Sequence, residues 1–208
     1  VLKATSFYLR PGVMLGLLLF AGWMLFFSFF AWEKIFLNWC VFGFSQPKLV
    51  VTNWLLIFST LFAVTGWIIS AMMTLRNSIK QHTVNTVLQS RLSATYMGNA
   101  ETINTTLFSP TAPKDSVSVE YLTDPANLAI LKSVHYVLNY LEFVSVGIRL
   151  GDLDEKILCF TMRGIVLRLY EKVLPYMKHM REDDGVKVGK PEQLEHVTWL
   201  YQRWKKRK

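Results

Sequence analysis

The sequence predicts an all-α membrane protein, built as an N-terminal two-helix transmembrane hairpin followed by a small cytoplasmic helical bundle. Three observations lead there. Two long stretches, residues 11–32 and 49–75, contain no Asp, Glu, Lys, Arg or His. The rest of the chain alternates apolar and polar residues with helical spacing. Helix start and stop residues recur at plausible intervals.

The first stretch reads PGVMLGLLLFAGWMLFFSFFAW and the second LVVTNWLLIFSTLFAVTGWIISAMMTL. A bilayer core of about 30 Å needs about 20 apolar residues of helix, and both stretches reach that length. A buried core helix in a soluble protein seldom runs so far without a charge. The first stretch is long for a signal peptide, and the Phe-Phe-Ala-Trp-Glu after it is a poor cleavage site. Lys3 and Arg10 precede the first span, and Arg76, Lys80 and Arg91 follow the second. The loop between carries only Lys34 and Lys48. The positive-inside rule therefore puts both termini in the cytoplasm, and the lipid bilayer is the first expected partner. Trp32, Trp39 and Trp54 fall near the outer boundary, where an aromatic belt is expected.

The two spans differ in texture. Phe20, Trp23, Phe26, Phe27, Phe29 and Phe30 crowd the first. In the second, Ser59, Ala63, Gly66 and Ser70 recur at i, i+4, i+7 and i+11, one helical face made of small residues. Small-xxx-small spacing lets helix backbones approach closely in lipid. That face either receives the first span or serves association between copies, as a helix-association or pore face in a homo-oligomer. The loop over 33–48 is itself apolar and leaves little protein outside the membrane.

No Gly or Pro lies between Gly66 and Gly98, and Val84, Val87, Leu88 and Leu92 keep 3–4 spacing. Span two is thus expected to continue as one helix over 76–97, reaching roughly 30 Å beyond the membrane at 1.5 Å per residue. Residues 98–123, rich in Gly, Asn, Thr, Ser and Pro, read as a linker. The cytoplasmic helical domain is expected over 124–208. Thr123-Asp124-Pro125 is a helix start, and Gly151 ends that helix near residue 149. Asp152 or Asp154 opens the next helix, which Pro175 is expected to kink. Pro191-Glu192 begins a last short helix that leads into the basic tail of Arg203, Lys205, Lys206, Arg207 and Lys208.

The net charge is +8. Positive-inside topology accounts for it without nucleic acid, although a basic tail interleaved with Trp199 and Trp204 fits anionic lipid, nucleic acid or a solvated helix end. Cys40 and Cys159 fall on opposite sides of the membrane in this topology and are not expected to pair. His82, His135, His179 and His196 lack ligand spacing, and there is no phosphate-binding Gly loop or nucleophile elbow. No enzyme activity and no cofactor or metal is expected. Glu142 stands on an otherwise apolar helix with Asn139 three residues before it and Arg149 seven after. An ionised Glu on a packed face needs a partner. Arg149, Arg163 or Arg168 is expected to supply it, as a structural ion pair or as a contact that senses a partner.

The stretch VLNYLEFVSVGIRLGDLDEKIL, then LPYMKHMRE, then EHVTWLYQRW, resembles a bacterial module catalogued as a domain of unknown function and often fused to membrane spans. The resemblance covers about residues 125–204 and rests most on Asn139, Glu142, Gly151 and Asp154. It implies an all-α fold and no enzyme activity. The layout as a whole is similar to the two-transmembrane effectors of bacterial retron anti-phage systems. That similarity implies an inner-membrane effector held inactive by an inhibitory complex of a reverse transcriptase with its RNA–DNA hybrid. Once released, the effector disrupts or depolarises the membrane. In that setting Asn139, Glu142 and Arg149 are the expected partner contacts. The competing expectation is a membrane-anchored scaffold or regulatory subunit with a passive hairpin.

Overall fold

The computed structural model describes residues 11–35, 51–110, 112, 115–182 and 192–207. Among them the chain is helical with no strand. It divides into two compact units, Val1–Ser78 and Ile79–Lys208. The lead-in over 1–10, most of the connecting loop with Trp39 and Cys40, Pro191 and Lys208 lie outside the described residues.

The first unit is a pair of apolar helices. α1 runs Pro11–Ile35, three residues past the expected end of the first span. α2 begins at Val51. Over Gly12–Trp32 and from Thr52 onward, these helices are long and apolar enough to cross a membrane. They pack antiparallel through aromatic rings. Phe30 meets Trp54 at 5.1 Å between centroids, Phe26 meets Phe58 at 6.0 Å, and Trp23 meets Phe62 at 5.9 Å. Trp23 Nε1 also donates to Thr65 Oγ1 at 3.2 Å, and Thr65 in turn donates to the Leu61 carbonyl. Edge-to-face rings add about 0.5–1.5 kcal/mol per pair beyond the area they bury. The bulky texture of the first stretch is thus what grips the second.

α2 continues without a break to Leu92, so its last residues belong to the second unit. The continuous helix expected to residue 97 stops earlier, at Ser93. That residue leaves helical geometry, and its hydroxyl accepts from the Tyr96 N–H, which starts a new helix, α3, over Ala94–Leu107. Of the linker expected over 98–123, residues 98–107 are helical instead, while the described residues of 108–118 are not. Tyr96, Ile103 and Leu107 are buried at helical spacing, and Gly98 sits inside the helix in open space. Burial of that apolar stripe outweighs the poor helix propensity of Gly, Asn and Thr, since packing routinely overrides propensity. A short α4, Val119–Thr123, capped by Ser118, follows.

Asp124 accepts from the Ala126 N–H and opens a 3-10 turn over Pro125–Asn127, which leads into α5, Leu128–Leu150. α5 is the central helix. Val134, Val137, Leu138, Leu141, Val144 and Ile148 are all buried, and α3 and α8 pack against it. Gly151 closes α5 with φ 88°, a left-handed cap that suits glycine. Asp154 caps α6, Glu155–Lys172, by accepting from the N–H groups of Lys156 and Ile157. Pro175 does not kink one long helix. α6 ends at Lys172, and a separate α7, Leu174–Arg181, starts with Pro175 in its first turn, where the missing N–H costs nothing. The last helix, α8, runs Glu195–Lys205.

Candidate functional site

In the first unit, Ser59, Ala63, Gly66 and Ser70 are all exposed. At about 100° per residue, this face is centred roughly 115° around α2 from the Trp54, Phe58, Phe62 and Thr65 side that meets α1. The small residues are therefore not the seat of the first helix. A Cβ on Gly66 would meet nothing within 4 Å. Ser59 and Ser70 present the same open side, with Ser59 Oγ bonded to the Leu56 carbonyl of its own helix. The outward faces carry large uncovered apolar side chains, among them Leu25 at 72 % and Trp67 at 73 % exposure.

In the second unit, Glu142, Arg149 and Arg163, singled out from sequence, meet α8. Glu142 on α5 does not pair with an arginine. One carboxylate oxygen accepts the His196 N–H at 3.1 Å, and the other accepts the Val197 N–H at 2.7 Å. The start of α8 needs this. Leu194, at the capping position, has φ 57° and no side chain that can cap. A carboxylate at a helix N-terminus satisfies orphan donors and meets the positive end of the helix dipole. Sequence spacing could not find this role, because the partners lie more than fifty residues away and are backbone groups.

Arg149 bonds instead to Glu195 Oε1 at 3.3 Å and His196 Nδ1 at 2.9 Å, and it lies over the Trp199 ring. Asn139 is exposed on α5 and takes no part in the Glu142 contacts. Arg163, considered as a partner for Glu142, holds the other end of α8. Its Nε donates to the Trp204 carbonyl at 3.2 Å, and its guanidinium also reaches the Arg207 carbonyl. A carboxylate at the first turn and a guanidinium at the last thus complement the dipole of one short helix. Arg168 lies over the Phe108 ring, 4.7 Å from its centroid.

The basic tail is largely engaged within the chain. Arg203 makes a two-pronged bond to Glu155 at 2.7 and 2.9 Å, and Arg207 reaches the same carboxylate at 3.1 Å. Trp204 is fully buried and donates its Nε1 to Glu155. The Arg203 hydrogen bonds hold the Glu155 carboxyl below the usual range against an opposing effect of burial. The charges of Arg203 and Arg207 and the Trp204 N–H add to the lowering. Lys205 bonds Glu171 at 3.0 Å and Tyr201 Oη at 2.6 Å. Lys206 follows in an exposed turn. Glu155 was not foreseen as a hub, since in sequence it is only an acid in the first turn of a helix. Thr83 was likewise unmarked. It is buried on α2, and its Oγ1 accepts the Asp154 N–H at 2.7 Å, tying the end of α2 to the α5–α6 turn. From Ile79 onward α2 is part of the second unit.

Comparison with curated proteins and with solved structures returns no match. A family model does match, and its description assigns no activity. The matched stretch begins well upstream of the 125–204 marked by the C-terminal motifs and takes in most of α2. It ends on the buried Trp204, so it includes every helix from α2 to α8. The model, described as Domain of unknown function (DUF4760), covers residues 57–204, and the chain belongs to that family.

Proposed function

We propose that this chain is a bacterial inner-membrane effector of anti-phage defence. In this reading an inhibitory partner, a reverse transcriptase with its RNA–DNA hybrid, holds the helical domain. On release the hairpins associate through the small face of α2 and depolarise the membrane. The observation that supports it is the uncovered state of the hairpin. Its outward apolar side chains need lipid, and its small-residue face is left open by α1. A passive anchor needs the first property and not the second. The assignment to defence rests on the resemblance of the layout to retron effectors. Both termini lie in the cytoplasm in this scheme, by the flanking Lys and Arg. Asn139 and Arg149, exposed on the α5–α8 side, are the contacts assigned to the partner; Glu142 supports that surface by starting α8.

The test is expression of the chain alone, with membrane potential followed by a voltage-sensitive dye. Depolarisation with loss of viability is the expected result, relieved by co-expression of the reverse transcriptase and its hybrid. Harmless accumulation in the membrane would favour the scaffold or regulatory subunit instead. Gly66→Leu refines the experiment. The side chain meets open space within one copy, so a loss of toxicity with normal insertion reports contact between copies. If the variant depolarises as fully as the parent, the small face has no part in assembly.

A further inference from the structure

The second unit holds a cavity of about 330 Å³ between α3, α5 and α6 that neither the capping network nor the membrane reading uses. Its floor is apolar and buried, made by Tyr96, Ile103, Val137 and Leu169. Two arginines stand at its rim, Arg91 at the end of α2 and Arg168 on α6. No Asp or Glu lines it, and neither arginine forms an ion pair among the described residues. Arg168 rests on the Phe108 ring, which holds its guanidinium in place without neutralising it. Tyr96 adds a neutral donor: burial, with a smaller effect of Tyr140, pushes its phenol up, against the opposing charge of Arg91.

A buried apolar floor flanked by two guanidinium groups that form no ion pair among the described residues selects for both halves of a ligand at once. The floor gains from a compact apolar or aromatic body, and the arginines gain from an anionic head that they can bond in a forked geometry. The volume stands near the lower end of the range for small-molecule sites, about 300–1,000 Å³. We infer that the cavity under Arg91 and Arg168 binds a small organic anion with a compact apolar or aromatic body. The source of that chemistry is either a nucleoside monophosphate or an aromatic carboxylate. The inference concerns the second unit alone and stands whether or not the hairpin depolarises membranes.

Gly164 makes the site testable. It is an exposed residue of α6 on the cavity wall, and a Cβ built on it meets nothing within 4 Å. Leucine there fills the cavity mouth while improving helix propensity, so the fold is kept. The experiment is calorimetric titration of the full chain in phosphatidylcholine nanodiscs with naphthalene-2-sulfonate, adenosine monophosphate, phenylacetate and inorganic phosphate. Saturable binding of naphthalene-2-sulfonate is expected, with none by inorganic phosphate, which lacks the apolar body. Adenosine monophosphate or phenylacetate, whichever competes, identifies the source. Gly164→Leu should abolish the binding. Arg91→Gln and Arg168→Gln should each weaken it about tenfold or more, the effect of losing a charge-assisted bond. Should Gly164→Leu fail to fold, the two arginine variants decide. The proposal is overturned if no organic anion binds saturably, or if binding survives unchanged in a folded Gly164→Leu or in both arginine variants.

Discussion

Replacing Glu142 with Ala removes the acceptor for two backbone N–H groups at the start of α8, those of His196 and Val197. No other group takes over, because Leu194 is left-handed and apolar. Each orphaned donor costs about 1–3 kcal/mol when cut off from water. Glu142 is half-buried, so solvent recovers part of this. A loss of about 2–3 kcal/mol follows, above the usual helix-cap effect of about 1 kcal/mol because two donors share one carboxylate. At about 3–5 °C per kcal/mol for a domain of this size, the melting temperature should fall by about 6–15 °C. Glu142→Gln keeps one acceptor oxygen and loses the charge, so it should fall about midway. The assay is thermal unfolding of the full chain in nanodiscs, paired with hydrogen exchange over residues 195–204. Exchange should rise first at His196 and Val197. Arg149→Ala is the control: its ion pair with Glu195 is about half exposed on both sides and should matter by under about 1 kcal/mol. If Glu142→Ala melts within about 3 °C of the parent, or if the two amides exchange no faster, the carboxylate does not start α8.

Other outcomes follow from the same contacts. Trp204→Ala should cost about 3–5 kcal/mol, read as urea unfolding, because a fully buried indole and its bond to Glu155 are lost together. Glu155 is held below the usual carboxylate range by Arg203, so its stabilising effect is present above the ordinary value of about 4.3 and is lost as pH falls through the lower folded value. Melting temperature should therefore decline more steeply on acidification below about pH 5 in the parent than in Glu155→Gln. At neutral pH the variant should be weaker by about 1 kcal/mol, since Arg203 and Arg207 are nearly half exposed. Two glycines should respond with opposite signs in thermal unfolding. A Cβ on Gly147 would stand 2.6 Å from Leu153 Cδ1, so Gly147→Ala should destabilise by about 1 kcal/mol net. Gly98→Ala meets open space in α3 and should stabilise by about 0.5–1 kcal/mol.

What the sequence determined by itself is what one-dimensional signals can carry. Two long uncharged runs read as apolar helices, and the structure has two helices there that are long and apolar enough to cross a membrane. Gly151 marked its helix end, and of the two candidates Asp152 and Asp154 the second caps the next helix, because capping is local chemistry between residues a few positions apart. The tertiary structure decided everything that depends on long separations. Residues 98–107 have the composition of a linker, yet the spacing of Tyr96, Ile103 and Leu107 lets them bury a stripe against α5, and that burial outweighs weak local propensity. The small face of α2 was legible as a face, but only the aromatic grip of Trp23 and Phe26 on the other side showed that it stays open. Glu142 was legible as a charge that needed a partner. Its partners proved to be two amides of a helix fifty residues away, which carry no signature in sequence because every residue but proline has the same N–H.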